Sequence, residues 1–169
     1  MIRSFFAGAL VLLCVTVFEA AVLSSISFLP AVPDLSLICV LFFAVHNGRM
    51  LGEGAGFLSG LFLDVLSACP LGLNCLLRTV LGYSAGIFNR TLNVEGFLVP
   101  VLLGGCATLL KALLVLLISF LFPLTVVPYS LFSFEFLFEL AANSVLSPFV
   151  FKFLGLFKNA VILKPEHVF

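Results

Sequence analysis

Six ionisable residues lie inside long apolar runs of this sequence: Glu19, Asp64, Arg78, Lys111, Glu135 and Glu139. A charge at the centre of a lipid bilayer costs roughly 2.5–3.5 kcal/mol or more unless it is paired or hydrated. Groups placed this way join helices as ion pairs, bind a polar ligand, or carry a proton. Their spacing sorts them. Gly48, Gly52, Gly56 and Gly60 recur every fourth residue, and Asp64 continues the row. Arg78, Gly82 and Gly86 repeat that period. Residues four apart share a helix face, and small residues on it let two backbones approach closely. The pattern predicts a tight helical hairpin with Asp64 and Arg78 near its seam, either as a structural ion pair or as part of a ligand or proton site. A further row holds Glu135, Glu139, Asn143 and Ser147. Gly104, Thr108 and Lys111 share another face, so a Lys111–Glu139 pair is expected. Glu19 and Glu135 have no evident basic partner, and are read either as neutral or as meeting a polar group of a partner protein.

No enzyme chemistry emerges from these residues. The two histidines, His46 and His167, stand far apart with no nucleophile beside them, and His46 next to Asn47 reads as a solvated group at the membrane surface. The glycines are evenly spaced in apolar helices, unlike the clustered loop that cradles phosphate. Cys14, Cys39, Cys69, Cys75 and Cys106 lack metal-ligand spacing and read as small hydrophobes, although Cys69 and Cys75 are near enough for a disulfide across one turn. Neither a metal nor a cofactor is expected.

The elements that must position these groups follow from composition. Of 169 residues, 63% are hydrophobic and 9% charged, with a mean hydropathy of +1.33. Soluble chains carry about 25% charged residues, so a water-soluble enzyme and a disordered chain are both excluded. The fold class expected is an all-α polytopic membrane protein, a single bundle of six transmembrane helices over residues of about 5–28, 34–47, 51–67, 71–89, 96–122 and 131–157, with a short cytoplasmic tail, 158–169. Pro30 and Pro33 separate the first two helices, because proline lacks an N–H and restrains its predecessor. Pro70 marks the hairpin turn, Pro123 and Pro128 bracket the last turn, and Pro148 is expected to kink helix 6. Helix 2 is short for a span, and is read as re-entrant or as extended by uncharged flanks. The first apolar run is too long for a cleaved signal and reads as a retained helix.

Loop charge orients the bundle. Arg3, Arg49, Arg90, Lys152, Lys158 and Lys164 fall at alternate ends of the six segments, whereas the other three connections carry Asp34 as their sole charge. Basic residues concentrate on the cytoplasmic side, so six crossings place both termini in the cytoplasm. Asp34 is expected to cap helix 2 as an N-cap acceptor or to touch a periplasmic partner. A net charge of zero suggests no nucleic-acid partner.

The run Pro33-Asp34-Leu35, the glycine row from Gly52 to Gly60, the block Leu61 to Ser67 that contains Asp64, then Pro70-Leu71-Gly72 and Leu81-Gly82-Tyr83 through Gly86, resembles the rod shape-determining MreD family. The resemblance is best from Pro33 to about Arg90; beyond that it rests on hydropathy and length. It matches Asp64 to the family's helix 3 aspartate and Pro33-Asp34 to its Pro-Asp before helix 2. It implies a non-enzymatic scaffold in the bacterial inner membrane, working with MreC through its transmembrane and juxtamembrane region, with the MreB filament and with the elongation-complex synthases in lateral peptidoglycan synthesis. The glycine row on helix 3 is longer than one hairpin contact requires, which points to a seat there for the MreC helix. A different class has similar length and hydropathy: the six-helix substrate-binding subunit of an ECF-type vitamin transporter, in which Asp64, Arg78, Lys111 and Glu139 would line a ligand pocket. Against it, Ala7 is followed four residues later by Val11 rather than by the second alanine such subunits use for docking, and no Trp-rich outer loop is present. A small proton-coupled permease is a third reading, disfavoured by the absence of an inverted repeat.

Overall fold

In a computed structural model, residues 2–23, 30–67, 70–89, 91–92, 94, 96–123 and 133–157 are described, with side chains in the first helix described from Gly8 onward. They form six helices and no strand: α1 Ile2–Ala21, α2 Leu35–Asn47, α3 Arg49–Leu66, α4 Leu73–Ile87, α5 Leu98–Leu121 and α6 Phe134–Gly155. Cys69, Arg90, the continuation of the first run to residue 28 and the tail from Lys158 lie outside the described residues, and Cys75 is a free thiol.

Helix α2 is the central pillar. Its residues from Ser36 to Val45 are all buried, and α1, α3, α4, α5 and α6 all touch it. A helix that is apolar all round belongs in a core rather than at a surface, which explains why its apolar run is short. Thirteen residues rise about 20 Å, well under a hydrocarbon thickness of about 30 Å. Six helices are present and the second is short, both as expected, but the expectation that the others are all spans needs correction. Among the described residues two helices, α5 and α6, are long and apolar enough to cross a membrane. α2 and α4 are too short, with 13 and 15 residues, and α3 carries Arg49, Glu53 and Asp64 within 18 residues.

One residue turns the chain between α2 and α3. Gly48 has φ +93° and donates its N–H to Ala44 O, ending one helix and starting the next. That backbone conformation is open to glycine and strained for other residues. The structure therefore places Gly48 at a corner and not in the packed row of α3 that its spacing suggested. The rest of the row faces α4. A Cβ added at Gly52 would stand 2.5 Å from Gly82 O and 2.6 Å from Ala44 Cβ, one at Gly56 would run into the Arg78 carbonyl, and one at Gly60 into the Cys75 backbone. From the other side, Gly82 meets the Gly52 carbonyl, and a Cβ at Gly86 would lie 2.6 Å from Arg49 Cα. Gly52, Gly56 and Gly60 are thus covered by this chain's own helix and offer no face to a partner, which corrects the idea that a second helix seats on them. Helices α5 and α6 pair by the same means, with Gly104 against Ser147 and Asn143.

The exterior is apolar. Leu102, Leu109, Leu113, Leu117 and Phe120 run along the outer side of α5, and Phe120 is 86% exposed. Contiguous apolar surface on this scale is foreign to a monomer in water and suits lipid. The packing makes one clear prediction. Gly56→Ala should destabilise the fold by about 1–3 kcal/mol through overpacking. Gly54→Ala, where a Cβ meets nothing within 4 Å, should be neutral or stabilising by about 0.5–1 kcal/mol from helix propensity. Unfolding equilibria of the two variants in mixed micelles check the opposite signs.

Candidate functional site

Asp34 is placed by ordinary helix capping. It is the N-cap of α2, and its Oδ1 accepts from Leu37 N at 2.9 Å. The same carboxylate, 3% exposed, collects two cations from distant parts of the chain. Arg78 Nη2 donates to Oδ1 at 2.6 Å, and Lys111 Nζ donates to Oδ2 at 2.8 Å. Lys111 also donates to Glu139 Oε1 at 2.9 Å. On the other flank, Arg78 Nη1 donates to Ser36 Oγ at 2.6 Å and to Ser59 Oγ at 2.5 Å. Glu19 Oε2 accepts from Ser36 N at 3.0 Å and Ser36 Oγ at 2.6 Å, and its Oε1 lies 3.7 Å from Arg78 Nη2. Asn143 closes the far side, with Oδ1 accepting from Asp34 N at 2.8 Å and Nδ2 donating to Thr108 Oγ1 at 3.0 Å.

This one cluster joins all six helices: α1 through Glu19, α2 through Asp34 and Ser36, α3 through Ser59, α4 through Arg78, α5 through Thr108 and Lys111, and α6 through Glu139 and Asn143. Low dielectric strengthens each bond and makes any missing one costly. Among the described residues only Ser67 Oγ is a buried side-chain polar atom without a partner, so the cluster is satisfied.

The structure separates residues that their spacing had put together. Asp64 does not meet Arg78. Its carboxylate turns to the start of α4, where it accepts from the amides of Gly72 at 2.9 Å, Asn74 at 3.1 Å and Cys75 at 3.1 Å, and from Asn74 Nδ2 at 2.9 Å. A helix N-terminus presents unpaired N–H groups and a positive dipole end, and these local donors satisfy both oxygens of Asp64. Arg78 is left to Asp34, Ser36, Ser59 and Glu19. Glu19 therefore does have a cation near it. Glu135 proves to be exposed in the first turn of α6, beyond the Ser133 N-cap, where a carboxylate complements the helix dipole. Lys111 and Glu139 do meet. Asp64, Arg78, Lys111 and Glu139 consequently do not line one ligand pocket. A cavity of about 480 Å³ lies elsewhere, at the end of the bundle where α2 and α6 finish, against Phe42, His46, Phe97 and Lys152.

Sequence reasoning marked Asp34 as a cap and missed it as the hub. The available signal was that Asp34 is the sole charge in three connections next to an apolar interior. Ser36 was missed, and Ser59 was legible as a small residue on the face of α3 but not as a partner of Arg78; isolated serines in apolar helices carry little signal until an arginine is found beside them. Chemically the cluster can clamp helices and hold protons. Among the described residues, no three His, Cys, Asp or Glu side chains are grouped to hold a metal.

A family model described as rod shape-determining protein MreD matches residues 1–157. The chain belongs to the MreD family. The match extends well past the Pro33–Arg90 stretch that carried the resemblance, and takes in all six helices. Membership in the MreD family implies a role in rod shape determination. The family is one of shape-determining structural proteins and not a known enzyme family, and with the apolar helices it points to a membrane protein. No curated protein and no solved structure matches the chain.

Two variants separate the two carboxylates. Asp34→Ala should cost about 3–5 kcal/mol, since it leaves Arg78 and Lys111 buried without their shared partner; the unfolding equilibrium in micelles measures it. Asp64→Ala should cost about 1–2 kcal/mol, as loss of a cap does, with faster hydrogen exchange confined to the Gly72, Asn74 and Cys75 amides.

Proposed function

We propose that this chain is an integral inner-membrane scaffold of the rod (elongation) complex, crossing the membrane several times with both termini in the cytoplasm, and that it acts in lateral peptidoglycan synthesis by contact with MreC and, through it, with the MreB filament and the elongation synthases. The observation that carries this reading is the family match over residues 1–157. Three features support it. The apolar exterior suits lipid. The ionic cluster sits toward one end of the helices, while Arg49 and Lys152 lie toward the other, in keeping with basic residues on the cytoplasmic side. The interior polar groups bind one another, as in a rigid framework, instead of framing a reaction centre.

With the glycine row covered by α4, the MreC helix seats on the face of α3 that remains open. That face carries Phe57 and Leu61, 50% and 40% exposed, and Gly54, above which there is room. Small and large residues together give a neighbouring helix a groove and a ridge. Single cysteines test this in cells. A cysteine at Phe57 or Leu61 should crosslink to cysteines in the MreC transmembrane helix, and one at the covered Gly56 should not. Absence of adducts at both exposed positions, with the protein present at normal level, would refute this seat.

A further inference from the structure

The cavity of about 480 Å³ at the end of the bundle belongs neither to the ionic cluster nor to the open face of α3. Its volume falls among those of pockets that hold small molecules, roughly 300–1,000 Å³. Its wall changes character with depth. His46 and Lys152 stand toward the ends of α2 and α6, Phe42 lies one turn inward from His46, and Pro148 one turn inward from Lys152. Four residues of helix rise about 6 Å. The space is therefore cationic and polar at its rim and apolar inside.

The inner wall is aromatic and well packed. Phe42 and Phe151 meet edge to face with centroids 5.4 Å apart, and the His46 ring lies 4.1 Å from that of Phe42. Pro148 adds a ring and no N–H. At the rim, Lys152 is exposed and makes no ion pair among the described residues. No carboxylate stands among the described residues of the wall.

The surroundings select the occupant. The exterior of the chain suits lipid, and Arg49 and Lys152 place this end at the level of the cytoplasmic headgroups. A phospholipid there has the same order of polarity as the cavity, with phosphate outward and hydrocarbon inward. Basic pockets between membrane helices on this side bind anionic headgroups. We infer that the cavity binds one anionic phospholipid, with its phosphate at Lys152 and the start of an acyl chain against Phe42, Phe151 and Pro148. The lipid touches α2, α6 and the connection into α5 at Gly96, so it stabilises the folded chain. The inference rests on the membrane orientation proposed for the scaffold, and adds a lipid of defined charge as a component of the folded protein.

The purified full-length chain in a neutral detergent tests this without MreC. Titration with dioleoylphosphatidylglycerol, followed by native mass spectrometry, should show one lipid retained per chain and a rise in Tm. Dioleoylphosphatidylcholine, with the same chains and no net charge, should bind more weakly. Lys152→Gln should weaken the phosphatidylglycerol about fivefold, the loss of one cation beside a headgroup. Arg49→Gln, at the same end but outside the cavity, should leave it unchanged. Gly96→Phe, at a wall position where an added Cβ meets nothing within 4 Å, should fill the space and remove the retained lipid; if it fails to fold, the smaller Gly96→Leu should do the same in part. Equal affinity for the two lipids, wild-type affinity in the Lys152 variant or in a folded Gly96 variant, or the same rise in Tm with inorganic phosphate alone would each overturn the inference. Those results would leave the scaffold reading standing, whereas a chain that stays dissolved without detergent would refute the membrane orientation itself.

Discussion

A carboxylate that has left water must find its countercharge inside the protein, and Asp34 finds two. Its bonds to Arg78 and Lys111 are the constraint on which the bundle depends, because they tie the start of the central helix to α4 and α5 at once. Glu19, Glu139 and Asn143 then attach α1 and α6 to the same point. Lipid provides no hydrophobic drive for helices to associate with one another, so polar bonds and close packing must supply the specificity. A charge cluster serves this end well: each bond has a direction, and a rotated or shifted helix would leave a charge unpaired.

Close packing supplies the rest. The approach of α3 to α4 is possible because Gly52, Gly56, Gly60, Gly82 and Gly86 place backbone against backbone. It also brings Ser59 beside Arg78. The two devices are linked, since a hairpin held apart by one extra carbon would carry the guanidinium away from Asp34. The short helix α2, enclosed on every side, then acts as the post around which the others are ordered.

Much of this was readable in advance where the physics is local. Four-residue periodicity located the hairpin seam, and the match in depth of Lys111 and Glu139 across one turn indicated their contact. What was not readable involves competition between partners. Asp64 and Arg78 stand near one turn, yet the amides at the start of α4 and the Asn74 side chain lie within hydrogen-bond reach of Asp64, and they capture it. The arginine's true partner comes from 44 residues earlier, and no periodic pattern encodes contact over such a separation. The number of helices fit to span was overread for a related reason. Hydropathy continues through apolar connections, and an enclosed core helix has the same composition as a lipid-facing one. The glycine at position 48 shows the limit from another direction: its spacing fits a packed row, and only its backbone angle reveals a corner.

The separation of the cluster's partners along the chain also has a temporal meaning. Asp34 is synthesised well ahead of the cations that neutralise it, Arg78 following 44 residues later and Lys111 77 residues later. The first two helices thus leave the ribosome with an acidic group that has its helix cap but neither of its countercharges. They cannot adopt their final seating until two-thirds of the polypeptide has emerged, and in that interval the nascent chain relies on water, headgroups or the insertion machinery to shelter the carboxylate.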